Sequence, residues 1–313
     1  MAKWLNHLLP HLIMNNKLIA IVGPTAAGKT SLAVKLAQKF NGEIVSADSR
    51  QVYRGMDIGT GKDLEEYGCV PYHLIDVADP QAQFTLADFQ KLAYRAIQDI
   101  TNRQKLPILT GGSGLYVQAV VDGYLLDDVQ PDEKLRFKLE KKSLKRLQRL
   151  VKKYKITLNQ SDFNNPRRLI RAIEKARAKK QNGLLAKKPV NSKNDQPKFN
   201  CLILGLNPPQ KILHRQIDQR LKSRLEKQGM VEEVKLLIRQ GVTWERLDDF
   251  GLEYRFIGKY LKGELNYEVM VRQLSLASRQ FAKRQLTWFK KDARIHWLDN
   301  QAEAEHLITN FIK

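Results

Sequence analysis

Acidic residues, cysteines and long apolar runs are all scarce in this 313-residue sequence, and each shortage removes a class of protein. The two cysteines, Cys69 and Cys201, lie far apart with no CxxC or Cys/His spacing around them. Neither a disulfide framework nor a structural zinc site is expected, and a reducing cytoplasm fits. The most apolar terminal stretch, WLNHLLPHLIM, is broken by Pro10, falls short of the ~18 residues of a membrane helix and has no small-residue cleavage site. No signal peptide or membrane span is therefore read. Residues 1–16 are expected to be a loosely attached extension, with Met14 as an alternative start, because the first core strand begins near Lys17. The shortage of acid leaves 33 Asp and Glu against 54 Lys and Arg, a net charge of +21, which suits a polyanionic partner. The excess is uneven: residues 131–190 hold 20 Lys and Arg against 5 Asp and Glu, so +15 resides there.

Short β-branched runs alternate with helical patterns, at 18–22, 43–47, 71–77, 106–110 and 199–206, and RIHWLD at 294–299 offers a late strand. That rhythm predicts an α/β fold, a P-loop NTPase-like parallel sheet with helices on both faces. Between the fourth and fifth strands the basic stretch is rich in helix formers, and AKKPVNSKNDQPK, at 186–198, reads as an exposed return linker. The expected organisation is a catalytic core over 17–130 and 191–313, with a basic helical insertion over 131–190 suited to a polyanion, which the resemblance given below implies is tRNA.

The segment Gly23, Pro24, Thr25, Ala26, Ala27, Gly28, Lys29, Thr30 follows an apolar run and precedes a helical pattern. Glycines let successive backbone N–H groups converge on a phosphate at a helix N-terminus, Lys29 reaches the terminal phosphate, and the Thr30 hydroxyl can ligate Mg²⁺. The motif does not name its ligand, since kinases, GTPases and helicases share it. A GTPase or motor also needs an apolar strand ending in a Mg²⁺-binding acid, and the one segment of that shape is HLID, with Asp76. Asp48 stands at the carboxyl end of a strand, where open α/β sheets place ligands, and suits a general base; a helix cap or a water-mediated Mg²⁺ ligand is the bland alternative. TGGSGLY, at 110–116, supplies a second glycine turn with the Ser113 hydroxyl. A metabolite kinase would leave the basic segment unexplained, and a nucleic-acid-stimulated ATPase would lack coupling elements.

Taken in order, GPTAAGKT, ADSRQVYRGMDIGTGK, PYHLID, GGSGLY, NPRRLIRAIE, IDQRLKSRLEKQGMVEEV and AKRQLTWFKK resemble the tRNA dimethylallyltransferases, bacterial type, also called tRNA isopentenyltransferases. The resemblance runs from Leu18 to Leu298. Tyr72 and Ser113 stand where His and Thr are usual, and DFGLEYRFIGKY departs from the commoner glycine-tyrosine pattern, so no site residue is assigned around Tyr254. The resemblance implies transfer of a dimethylallyl group from dimethylallyl diphosphate to the exocyclic amine of the adenosine 3′ to the anticodon, with Mg²⁺ as cofactor. It implies that the 23–30 loop binds diphosphate, that Asp48, Lys29 and Arg220 are catalytic, and that the loop also admits ATP. For the tRNA anticodon stem-loop it implies contacts from Asp48, Ser49, Arg50, Gln51, Ser113, Arg136, Arg167, Arg168, Leu169, Ile170 and Arg171. A cytoplasmic monomer is expected. Arg272, Arg279, Lys283 and Lys290 form a further basic stripe, beside Phe281 and Trp288, which are expected to be core.

Overall fold

The computed structural model describes residues 16–126, 129, 132–181 and 198–313, with the side chains of 179–181 excepted; the 1–16 extension, apart from Asn16, and most of the linker lie outside them. Two compact units emerge, one within 1–123 and 195–313 and the other within 124–194. These limits start seven residues earlier and end four later than the 131–190 read from charge.

The first unit is a six-stranded sheet ordered β3-β2-β4-β1-β5-β6, in which every pairing is parallel. The strands are β1 (Lys17–Val22), β2 (Gly42–Ser46), β3 (Tyr72–His73), β4 (Leu106–Gly111), β5 (Asn200–Leu206) and β6 (Ile295–Leu298). Leu18 to Val22 are wholly buried, as a central strand covered on both faces must be. Alternation divides them. Leu18, Ala20 and Val22 face one layer, with Phe89, Ile97 and Val120; Ile19 and Ile21 face the other, with Leu36 and Ile308. The helices concerned are α1 (Lys29–Lys39), α2 (Leu86–Asn102), α3 (Gly114–Val121) and, at the chain's end, α13 (Gln301–Ile312). α2 begins with a capping box, Thr85 and Asp88 each accepting the other's backbone N–H. The run read as a strand over 71–77 pairs at only two residues, because Leu74 and Asp76 turn to positive φ.

The second unit packs α4 (Glu133–Glu140), α5 (Leu144–Lys153), the single turn α6 (Gln160–Phe163) and α7 (Pro166–Gln181) around Leu135, Leu139, Leu147, Val151, Leu169, Ile170 and Ile173. Leu169 and Ile170 do not meet the expectation that they face the RNA. Their side chains are instead buried in this core, because apolar groups recurring at helical spacing are what holds a small bundle together. Arg136 and Arg171 also turn inward. Arg136 forks onto the buried Glu174, with Nε to Oε1 at 2.7 Å and Nη2 to Oε2 at 3.1 Å, while Arg171 reaches Glu174 at 3.2 Å and the Val129 carbonyl at 2.6 Å. A buried carboxylate needs such partners. Arg167 and Arg168 are exposed, Arg168 pairing with Asp162.

After β5 the first unit adds α8 (Gln210–Glu226), α9 (Met230–Arg239), α10 (Trp244–Phe250), α11 (Leu252–Leu261) and the 23-residue α12 (Tyr267–Phe289). They enclose a third apolar cluster with Val52, Tyr53 and Met56 from the loop after β2. Among the described residues, no helix is long and apolar enough to cross a membrane.

Candidate active site

Three strands end side by side at the sheet's carboxyl rim, and the loops that leave them build one wall of a cavity of about 520 Å³. β1 contributes Thr25, Ala26 and Gly28 to Ser31; β2 contributes Ser46 and Asp48 to Gln51; β4 contributes Thr110 to Ser113. The opposite wall comes from α8 with Arg220 and Arg224, from 250–255, and from Phe281, Arg284 and Gln285 of α12. Of the eight loop residues read as phosphate-binding, Gly23, Pro24 and Ala27 do not line the cavity and serve the turn.

The cationic side is compact. Lys29 donates to the Pro24 carbonyl at 2.6 Å, and the Arg220 guanidinium donates to the Thr25 hydroxyl. Burial, then the charge of Arg220, bring Lys29 down to about 8 against a partial offset from Asp48. Burial, then Arg224, bring Arg220 down to about 10. Two cations close together beside a helix N-terminus, both losing affinity for their protons, make a site suited to an anion.

The acceptor side is held by short-range bonds. The Arg50 N–H donates to Asp48 Oδ1 at 2.9 Å, closing a turn that fixes the carboxylate at the rim. The Ser49 N–H donates to Ser113 Oγ at 3.1 Å, tying the second loop to the third. Ser46 Oγ donates to Gln51 Oε1 at 2.8 Å, and Gln51 Nε2 donates to the Gly61 carbonyl at 2.9 Å. Asp48, Ser49, Arg50, Gln51 and Ser113 thus meet Lys29, Thr30 and Arg220 in one cavity, whereas Arg136, Arg167, Arg168 and Arg171 belong to the helical unit.

Several residues were not legible in sequence. Gln285, buried on α12, accepts from the Thr25 N–H at 2.8 Å and donates to the Gly112 carbonyl at 2.8 Å, linking the first and third loops. A Cβ at Gly112 would stand 2.3 Å from Gln285 Nε2, so any larger residue there would displace that amide. Arg224, buried, pairs with Asp63 at 3.2 Å. Glu253 lines the cavity with a carboxyl raised by burial against the pull of Arg224 and Arg220. A glutamine or a glutamate two helices away carries no local signature. Two expectations on α12 fail. Phe281 lines the cavity and Trp288 is 38% exposed, its ring lying over Gly114, so neither is plain core. Of the basic stripe, Arg279 is neutralised by Asp218. Asp76 pairs with the buried Lys62 and does not line the cavity, so the acid a GTPase would need is not supplied there.

Mg²⁺ can be tested against the donors present. Among the described residues no cluster of three or more His, Cys, Asp or Glu could hold a metal ion. The cavity offers instead the Thr30 hydroxyl, the Asp48 carboxylate and the Thr110 hydroxyl, which is buried without a hydrogen-bond partner. So few protein oxygens fit an ion that takes most of its ligands from phosphate and water.

Comparisons with known proteins agree over nearly the whole chain. The IPP transferase family model matches residues 51–292. A tRNA dimethylallyltransferase 1 of Parabacteroides distasonis is 42% identical over 305 residues, covering 95% of this chain and 97% of that one. A tRNA dimethylallyltransferase 2 of Trichlorobacter lovleyi is 46% identical over 293 residues, with 91% and 93% covered. The crystal structure of the full-length tRNA isopentenylpyrophosphate transferase of Bacillus halodurans superposes with a TM-score of 0.70 at 36% identity, covering 95% of this chain and 97% of that one. A eukaryotic dimethylallyltransferase acting on tRNA gives a TM-score of 0.70 at 26% identity, with 90% and 73% covered. With the family model spanning most of the sequence and relatives above 40% identity along nearly all of it, this chain belongs to the IPP transferase family.

Proposed function

We propose that the protein transfers a dimethylallyl group from dimethylallyl diphosphate to the exocyclic amine of the adenosine 3′ to the anticodon in tRNA, releasing diphosphate. The observation that carries this reading is that Lys29, Thr30 and Arg220 share one cavity with Asp48, so an anion site and a proton acceptor face the same space. Relatives named for this reaction support it.

In the proposed reaction the bond between the allylic carbon and the diphosphate oxygen breaks, and a bond from that carbon to the amine nitrogen forms. Negative charge builds on the departing diphosphate, where Lys29, Arg220 and the N–H groups at the start of α1 would meet it. Thr30 would hold Mg²⁺, which when bound would supply further positive charge to the leaving group. The amine of adenine is a weak nucleophile whose proton becomes acidic only as the new bond forms. Asp48 Oδ2 can take that proton while Oδ1 keeps its bond to the Arg50 N–H. Phe281, Leu252 and Phe250 give the cavity apolar surface for the five-carbon group and exclude water from the allylic centre. The target base has to leave its stack to enter. The helical unit, with Arg167 and Arg168 exposed and a strongly basic sequence, would add phosphate contacts.

Unmodified tRNA incubated with labelled dimethylallyl diphosphate and Mg²⁺ tests the proposal. Label should enter RNA with release of diphosphate. ATP turnover in the presence of tRNA at a rate matching or exceeding transfer, or no label in RNA, would contradict it.

A further inference from the structure

Two buried charges of opposite sign lie outside the cavity, and both serve one loop. Glu233 on α9 is 9% exposed and does not line the cavity. Its carboxylate accepts three consecutive backbone N–H groups, from Asp57 at 2.7 Å, Ile58 at 2.6 Å and Gly59 at 3.0 Å, and also the Tyr254 hydroxyl at 2.9 Å. Lys62 is 1% exposed and donates to the Tyr53 carbonyl at 2.8 Å and to Asp57 at 2.5 Å, and it pairs with Asp76. Between these two anchors the chain turns through Gly59, Thr60 and Gly61, which do line the cavity. Gly59 lies so close to the Tyr254 ring that a Cβ would meet it at 2.7 Å. The Gly61 carbonyl then receives Gln51 Nε2 at 2.9 Å, next to the Asp48 turn.

Burying a carboxylate and an ammonium costs more than burying apolar groups of the same size, so stability alone does not account for them. What they do provide is position. Three amides in a row aimed at one carboxylate define the path of 57–59 far more tightly than apolar packing could. We infer that Glu233 is a positioning residue for the transfer reaction: through the 57–61 loop and Gln51 it sets the acceptor side of the cavity, without touching either substrate. Tyr254 extends the same control to the wall that carries Glu253. The inference rests on the reading of the Asp48 to Gln51 segment as the side that receives the nucleotide.

Glu233→Gln is the informative change, because an amide nitrogen cannot accept and two of the four donors lose their partner in either orientation. Single-turnover transfer to tRNA should fall about 10- to 100-fold, the scale of a sub-ångström to ångström misplacement, while the Kd for dimethylallyl diphosphate stays within about twofold. Tyr254→Phe removes one donor only and should give a smaller loss in the same direction, which keeps the test open if the first variant folds poorly. Both are checked for thermal midpoint and diphosphate Kd beside the wild type. Transfer within twofold of wild type in both variants overturns the inference. So does a loss of diphosphate affinity parallel to the loss of rate, which would mark Glu233 as general support. A wild-type protein that transfers no label sinks the proposed reaction and this inference with it, whereas an active wild type with equally active variants sinks the inference alone.

Discussion

Lys29 makes diphosphate binding a measurable function of pH. Burial and the neighbouring Arg220 bring its ammonium down to about 8 from an ordinary 10.5, so keeping it charged in the ligand-free protein costs roughly 3 kcal/mol relative to water. A bound diphosphate reverses that cost, because an anion beside the ammonium raises its proton affinity again. Above about pH 8 binding must therefore take up a proton, and affinity should fall about tenfold per pH unit. From the plateau below about pH 7 to about 9.5 the loss is roughly 30-fold, steepening above about 10 as Arg220 begins to titrate. The linkage to folding has the opposite sense. Between pH 8 and 10.5 the unfolded chain holds a proton on Lys29 that the folded chain has shed, so this group makes the ligand-free fold more stable as pH rises. Calorimetric titration of dimethylallyl diphosphate from pH 7 upward reads the slope directly, with Lys29→Met as the control. The variant should bind more weakly at neutral pH and lose the tenfold-per-unit slope between 8 and 10. Wild-type affinity that is flat to about pH 9.5, or an unchanged slope in Lys29→Met, would refute the reasoning.

Gln285→Leu leaves the Thr25 N–H and Gly112 carbonyl unpaired and should lower unfolding free energy in urea by about 2–4 kcal/mol; a change below about 0.5 would mean that water replaces both bonds. Glu43, buried at the far end of β2, is destabilised by burial, but Arg103, Lys105 and His73 more than compensate and hold it down to about 2. It should contribute up to about 3 kcal/mol above pH 4.5 that drains away as pH falls toward 2, so wild type should lose more urea stability over that interval than Glu43→Gln does. In the helical unit, an Arg167, Arg168→Ala double variant should flatten the log–log salt dependence of tRNA binding by roughly 0.7–0.9 for each phosphate no longer neutralised, whereas Arg171→Ala should chiefly lower the unit's melting temperature because Arg171 braces Glu174. Equal salt slopes for the wild type and the double variant would move RNA binding to other residues.

The parts of this molecule that sequence made legible are those where backbone chemistry is written in neighbouring residues. The 23–30 loop, Asp48 after β2 and the glycine turn after β4 each announce a strand end, and the parallel sheet places such ends together, so their convergence followed from the βα rhythm. β6 was legible for the same reason, as a short apolar run ending in Asp299. Pairings between distant residues were not. Gln285 lies 260 residues from Thr25 and Glu233 lies 174 from Gly59, and only the packing of α9 and α12 brings them to the loops. The partners of the arginines were not legible either: Arg136 and Arg171, which the resemblance implies as tRNA contacts, both pair with the buried Glu174, and the side chains of Leu169 and Ile170 between the arginines are part of the bundle's core.

The most direct test of a cavity that joins an anion site to a proton acceptor is single-turnover transfer with Asp48→Asn. Asparagine keeps the oxygen that accepts the Arg50 N–H at 2.9 Å, so the turn and the loop survive and only proton acceptance is removed. Transfer from dimethylallyl diphosphate to tRNA should slow by about a hundredfold or more, with the affinities for diphosphate and tRNA within a few-fold of wild type. A variant that transfers at close to the wild-type rate would contradict the account, because the proton would then leave by a group other than Asp48.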